Sequence, residues 1–225
     1  MRHFIQLVGD IMHLLSFAIL IGQMRRIKSC IGVSSRSQEA YLLVFLARYS
    51  DLLIVGIRSH YLFAMKVLFI ALTLWTIWLI RFSHPIKMTY DSIHDNFPHR
   101  VTLYPLALII ALVYHVHFSK HPYYSLVWSW SIVLESIALL PQLYMLRKTN
   151  EVDTFSTRYI LCLAFYRFCY LVNWVIRLTF RDESINIAEL HFEVIFGIVQ
   201  SLFVSDFVYR YFKSLNRKTR ITIPI

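Results

Sequence analysis

A chain of 225 residues that is 57% apolar and only 16% charged lacks the polar surface of a soluble domain, where about a quarter of residues carry charge. Its apolar residues fall in blocks of about twenty, the length a helix needs to span the hydrocarbon layer, which leaves little chain for a separate soluble domain. A net charge of +10 would also suit a nucleic-acid surface, but the basic residues sit mostly between the blocks, as in the cytoplasmic loops of a membrane protein.

Seven blocks are predicted, at about 4–23, 38–56, 61–80, 101–118, 124–145, 157–178 and 190–211. The first carries Asp10 and His13. No small-residue cleavage motif follows it, so it is expected to act as an uncleaved signal. The second carries Arg48 and Asp51, and the third, Tyr61 to Ile80, is nearly pure. The fifth carries Glu135 and Pro141, and the proline is expected to kink the helix near its cytoplasmic end. The sixth carries Arg167 and Arg177, the seventh Glu193 and Asp206. Spans this long and continuous predict helices rather than barrel strands.

Loop charge sets the expected orientation. Arg25, Arg26, Lys28 and Arg36 follow block 1, and Arg81, Lys87 and Arg100 follow block 3. Arg147, Lys148 and Arg158 follow block 5, and Lys213, Arg217, Lys218 and Arg220 follow block 7. The alternate loops are poorer in basic residues. The positive-inside rule then predicts a luminal N-terminus and a cytoplasmic C-terminal tail. A weak internal repeat adds to this. Lys28 to Ser34 leads to Ala47-Arg48-Tyr49, and Arg147-Lys148-Thr149 with Asp153 to Ser156 leads to Phe165-Tyr166-Arg167. It suggests two helix triplets in parallel, about 4–80 and 124–211, joined by a linker helix at 101–118 and followed by a tail at 212–225.

The intramembrane charges are the candidate chemistry, because a charge in lipid is costly. Arg48 and Arg167 lie well inside matching spans. A guanidinium stays charged and grips a carboxylate through two parallel hydrogen bonds. The same arginines could instead tie helices together through Asp51, Glu135, Glu193 or Asp206. Arg177 lies nearer the luminal end, where it could snorkel. Arg167, Tyr170 and Trp174 share one helical face, with Asn173 and Arg177 beside it and Tyr166 flanking. That face suits a cavity or a neighbouring helix, not lipid. His13 is either a neutral packed histidine or a pH-responsive group. The scattered Cys30, Cys162 and Cys169 give neither a disulfide framework nor metal-ligand spacing, and nothing resembles a nucleophile triad or phosphate loop. No metal, cofactor or nucleic-acid partner is expected.

Several segments together resemble the ER lumen protein-retaining receptors, which bind the Lys/His-Asp-Glu-Leu retrieval signal. These are Gly9-Asp10 with His13-Leu14-Leu15, Lys28 to Ser34 with Ser37-Gln38, and Ala47 to Leu52. Trp75 to Trp78, Thr89-Tyr90-Asp91, Glu135 to Leu143 and Tyr166 to Arg177 continue the likeness. The resemblance implies an all-α membrane protein, similar to SWEET and PQ-loop transporters, with seven helices in two three-helix bundles. It implies capture of the C-terminal peptides of escaped ER luminal proteins in the acidic Golgi, return in COPI vesicles, and release in the neutral ER. By position, Arg48 matches the family arginine that holds the peptide carboxylate, and Arg167 and Arg177 match arginines of the same luminal cavity. Asp51 matches an acid near the signal's first residue, and Trp128, Tyr170, Asn173 and Trp174 match lining positions. His13, Tyr166 and Glu135 match the pH switch. Arg217, Lys218 and Arg220 occupy the place of the lysine-rich tail that recruits the coat.

Departures are visible too. Gln6 stands where the family has an arginine, Ser125 where it commonly has an acid, and the loop around His115 to Tyr124 is long. A small-molecule transporter on the same fold and a ligand-free membrane scaffold are the competing expectations.

Overall fold

The computed structural model describes residues 2–50, 52, 60–118, 124–149, 154–180 and 187–217. Among these, the regular structure is α-helix with one short 3-10 turn, and no strand occurs. The helices are α1 (Arg2–Ile27), α2 (Ser35–Arg48), α3 (His60–Arg81), α4 (His99–Phe118), α5 (Tyr124–Ile137), α6 (Leu140–Thr149), α7 (Thr154–Thr179) and α8 (Ile187–Arg217). The 3-10 turn, Ile86–Thr89, lies between α3 and α4.

Among the described residues, six segments are long and apolar enough to cross a membrane: Phe4–Ile27, His60–Arg81, His99–Phe118, Ser125–Thr149, Arg158–Thr179 and Ile187–Ser205. The second expected block, 38–56, is described as helix α2 only to Arg48, and residues 51 and 53–59 lie outside the described residues. The outward faces support the membrane assignment. Only 22% of the α4 span is buried within the protein, while Leu108, Ile109, Leu112 and Val113 are exposed. That much contiguous apolar surface suits lipid and not water. On α3, Trp75 and Trp78 are exposed likewise, and Thr73 and Thr76 return their hydroxyls to the carbonyls of Phe69 and Leu72 at 2.7 and 2.8 Å. Such back-bonding satisfies a hydroxyl where no water is available.

The long loop is expected around His115 to Tyr124. Helix α4 runs on to Phe118, and only residues 119–123 between it and α5 are outside the described residues. An interruption of the helix does occur next to Pro141, as expected. The chain leaves the helix at Ala138 and Leu139, before the proline. Ala138 N–H tightens onto the Glu135 carbonyl at 3.4 Å. Pro141 then stands in the first turn of α6, where its missing N–H costs nothing and its fixed φ suits a helix start.

The chain divides into two compact units, residues 1–26 with 146–225, and residues 27–145. In the second, α2 packs on α3 and on α5, and α4 packs on α5. Phe45 of α2 stacks on Phe69 of α3 at 5.8 Å between centroids. Trp130 of α5 donates its indole N–H to the Tyr104 carbonyl of α4 at 3.3 Å. The start of α2 is fixed by a side-chain network. Gly32 takes φ 78°, as the turn into α2 requires. Ser34 caps α2 by accepting the Ser37 N–H at 3.2 Å, and donates its own hydroxyl to Asp95 at 2.7 Å. Gln142 accepts the Ser34 N–H through Oε1 at 2.8 Å and donates through Nε2 to the Gly32 carbonyl at 2.7 Å. Tyr90 donates to Asp95 Oδ2 at 2.6 Å. Burial, and then the Asp95 carboxylate, push the Tyr90 phenol far up, so that it stays a neutral donor.

In the first unit α7 packs along α8, and α1 lies against α7. Gly9 sets the second contact: a methyl at this position would stand 3.4 Å from Cys169 Cβ and Tyr170 Cε2. Gly197 is tighter, since a Cβ there would stand 2.9 Å from Trp174 Cζ3 and 3.2 Å from Leu171 Cδ1.

Two changes test these contacts. Replacing Gln142 with Ala strands the Ser34 N–H and the Gly32 carbonyl, and should cost about 2–4 kcal/mol, read as a lowered midpoint of thermal unfolding in detergent. Gly197→Ala forces Trp174 or α8 to move and should cost about 1–3 kcal/mol; an unchanged midpoint would show that the α7–α8 contact is looser than drawn.

Candidate functional site

In unit 1, the candidate site is one face of α7. Arg167 is only 6% exposed, and its guanidinium carbon lies 5.4 Å from the ring centre of Tyr166 and 6.0 Å from that of Trp174. Flat contact with aromatic faces is worth more where water is excluded. Tyr170 stands edge-on to Tyr166 at 5.9 Å and meets Trp174 at 6.0 Å. The three-and-four spacing read from the sequence therefore does gather Arg167, Tyr170 and Trp174. Asn173 is buried beside them. Arg177 is half-buried and forms no hydrogen bond or ion pair among the described residues.

Helix α1 supplies the opposing groups of this unit. His13 is buried and stacks on Tyr166, with ring centres 4.1 Å apart and planes within 3°. Phe17 stacks nearby at 5.3 Å from His13. Asp10, also buried, accepts a hydrogen bond from the Tyr170 hydroxyl. The close approach at Gly9 permits that bond, since it brings the α1 backbone against the Tyr170 ring. Gln6, one turn earlier on α1, is half-buried.

In unit 2, Arg48 ends α2 and faces α5. Its Nη2 pairs with Glu135 Oε2 at 2.7 Å, and its Nε donates to Ser131 Oγ at 2.8 Å. Ser131 in turn donates to the Trp128 carbonyl at 2.6 Å. Trp128, Ser131 and Glu135 stand at helical steps of three and four, so one stripe of α5 receives the arginine. The helix-tying alternative for Arg48 is thus realised, with Glu135 as partner. Nη1 remains without a hydrogen bond among the described residues. Ser125 Oγ lies 3.2 Å from His115 Nδ1, joining α4 to α5.

Asp51, Lys218 and Arg220 lie outside the described residues, and Arg217 is the last residue of α8. Sequence reasoning missed Ser131 and the bond between Asp10 and Tyr170. Ser131 was legible from its i, i+4 relation to Glu135. The second pairing spans 160 positions, and no local pattern carries it. Among the described residues no cluster of three His, Cys, Asp or Glu side chains is arranged to hold a metal ion.

Comparison with known proteins gives these groups a context. The family described as "ER lumen protein retaining receptor" matches residues 29–177. An ER lumen protein-retaining receptor of Plasmodium falciparum is 42% identical over 205 residues, covering 91% of this chain and 89% of its relative. ER lumen protein-retaining receptor 2 of Homo sapiens is 37% identical over 219 residues, 97% of this chain and 98% of the relative. A receptor of Petunia hybrida is 36% identical over the same shares. With identity at this level over nearly the whole chain, and with charged side chains held inside membrane-spanning helices, the protein belongs to the ER lumen protein-retaining receptor family.

Proposed function

We propose that this protein is a pH-dependent sorting receptor. It binds the C-terminal retrieval tetrapeptide, of the Lys/His-Asp-Glu-Leu type, of escaped ER luminal proteins in the Golgi and returns them to the ER. The near end-to-end similarity to ER lumen protein-retaining receptors carries this reading. It works as a receptor and not as an enzyme.

The finer architecture belongs to the same proposal. Seven spans form two parallel three-helix bundles joined by a linker helix, as in SWEET and PQ-loop transporters. The N-terminus is luminal and the tail cytoplasmic, which follows from the alternating basic loops. Arg217, Lys218 and Arg220 engage the COPI coat or its adaptors as the receptor cycles between ER and cis-Golgi membranes.

Peptide recognition rests on the arginines. A free C-terminal carboxylate and two acidic side chains need cationic forks, and Arg48, Arg167 and Arg177 supply them, with Trp128, Tyr170, Asn173 and Trp174 lining the site. Asp51 meets the basic first residue. The ion pair of Arg48 with Glu135 makes acid dependence a matter of competition. A proton on Glu135 removes the internal carboxylate and leaves Arg48 to the peptide. A proton on His13, stacked on Tyr166, adds positive charge to the same receptor. Both steps favour an anionic ligand in the acidic compartment and its release in the neutral one.

Ser125 alters selectivity. A hydroxyl facing His115 exerts no coulombic pull on a cation, whereas a carboxylate would. Peptides with a basic and with a neutral first residue are therefore expected to bind within about fivefold of each other, since a single exposed charge pair is worth at most about 1 kcal/mol.

Binding of a labelled peptide to the purified receptor tests the reading directly. Affinity should be at least about tenfold tighter near pH 6 than near pH 7.4, and amidation of the peptide C-terminus should abolish it. Binding indifferent to amidation, or none at either pH, would overturn the assignment. Arg48→Ala and Arg167→Ala should each weaken binding by about thirtyfold or more, the loss of a charge-assisted contact worth about 2 kcal/mol. Unchanged affinity in either variant would remove that arginine from the site.

A further inference from the structure

A second concentration of cations lies within unit 2. The first turns of α2, the last residue of α3 and the first residues of α4 enclose a polar cleft of about 420 Å³. Three guanidiniums line it, those of Arg36, Arg81 and Arg100. Two carboxylates line it as well, and both are already committed. Asp95 is fully buried and accepts from Ser34 Oγ, from the Tyr90 hydroxyl and from the Arg36 N–H. Glu39 accepts from Arg81 through one oxygen, and through the other meets Arg100 at 3.1 Å and His99 Nε2 at 3.3 Å.

The carboxylates thus set the arginines in place without using them up. Arg36 gives one N–H to the Phe97 carbonyl at 2.7 Å. Arg81 gives its Nε to Ser35 Oγ at 3.3 Å besides its bond to Glu39. Arg100 gives only its bond to Glu39. An arginine has five N–H donors, so most donors of the trio remain uncommitted among the described residues. The ends of Arg81 and Arg100 are 43% and 69% exposed and reach solvent. Helix α4 also opens onto the cleft with its N-terminus, which adds about half a positive charge. Three cations and that dipole against two carboxylates leave roughly one to one and a half positive charges, against about −1.5 to −2 for a phosphate monoester at neutral pH.

The depth of the cleft selects the source. Span α3 ends at Arg81 and span α4 begins at His99, so the cleft stands at the membrane edge, at headgroup level. The connection between them exposes Phe82, Met88 and Ile93, three large apolar side chains suited to the boundary between headgroups and acyl chains. This is also the basic side of the chain, and basic pockets at that edge suit anionic lipid headgroups.

We propose that the cleft framed by Arg36, Arg81 and Arg100 is a binding site for a phosphate monoester carried on a lipid headgroup, of the phosphoinositide kind. The site is distinct from the α7 face, and only its cytoplasmic placement rests on the orientation proposed above. Nanodiscs present both membrane faces, so lipid retention is read independently of that orientation and of peptide binding.

The test uses the full-length receptor in phosphatidylcholine nanodiscs doped either with a phosphatidylinositol monophosphate or with charge-matched phosphatidylserine. Co-purifying lipid is counted by native mass spectrometry. A second arm adds the deacylated headgroup, or inorganic phosphate, to receptor in plain discs and reads the shift in thermal unfolding. The phosphoinositide should be retained about tenfold over phosphatidylserine, and Arg100→Gln should lower retention about tenfold, one charge-assisted contact. Arg36→Gln should act in the same direction. A response to the deacylated headgroup as well would extend the site to soluble phosphate monoesters, and a response to lipid alone would confine it to the membrane. Equal retention of both lipids, or no effect of either variant in receptor that unfolds at the wild-type temperature, would overturn the proposal.

Discussion

Inside the hydrocarbon layer water is not available to complete a hydrogen bond, and this constraint organises the polar groups of the chain. A side chain that enters a span with a charge or a hydroxyl is stabilised by a partner in protein. Thr73 and Thr76 solve the problem on their own helix. Asp10 solves it with Tyr170 of another helix, and Arg48 with Glu135 and Ser131. The pairs therefore fix which helix faces meet before any apolar packing is considered. Lipid tails are as apolar as leucine, so hydrophobic expulsion does not sort one helix face from another here. Small residues and polar contacts do, and Gly9 and Gly197 are two such small residues at close helix contacts.

The same pairs differ in what they contribute to stability. A buried ion pair is weak evidence for stability, because desolvating both charges offsets most of their attraction. Arg48 and Glu135 are better understood as a contact that fixes which faces of α2 and α5 meet than as a large source of stability. Arg167 lies against the faces of Tyr166 and Trp174, and His13 packs flat on the same Tyr166 ring.

How much of this was legible in the sequence depended on the range of the interaction. Block length matched six of the seven expected spans, because hydropathy is a local sum over about twenty residues, while the block at 38–56 is described as helix only to Arg48. The α7 face was legible because its members recur at helical steps on one element. The partner of Arg48 was narrowed to a few acids but not chosen, since Asp51, Glu135, Glu193 and Asp206 all satisfied the same electrostatic argument. The Gln142 anchor was not read at all. Its partners, Gly32 and Ser34, lie more than a hundred positions away, and nothing in their local pattern announces a buried amide between them. Pro141 was read locally, since proline disrupts the ladder of the residues just before it, and the chain does leave the helix at Ala138 and Leu139. The arginine cleft was hidden because its cations had all been counted as loop charges.

That two-residue interruption between α5 and α6 separates two tasks that share one span. Trp128, Ser131 and Glu135, with Ser125, stand before it, and Gln142 stands after it. A continuous ladder would carry any rotation or shift of α5 straight into the amide that holds the start of α2. With the ladder broken, substitutions along α5 are insulated from that anchor.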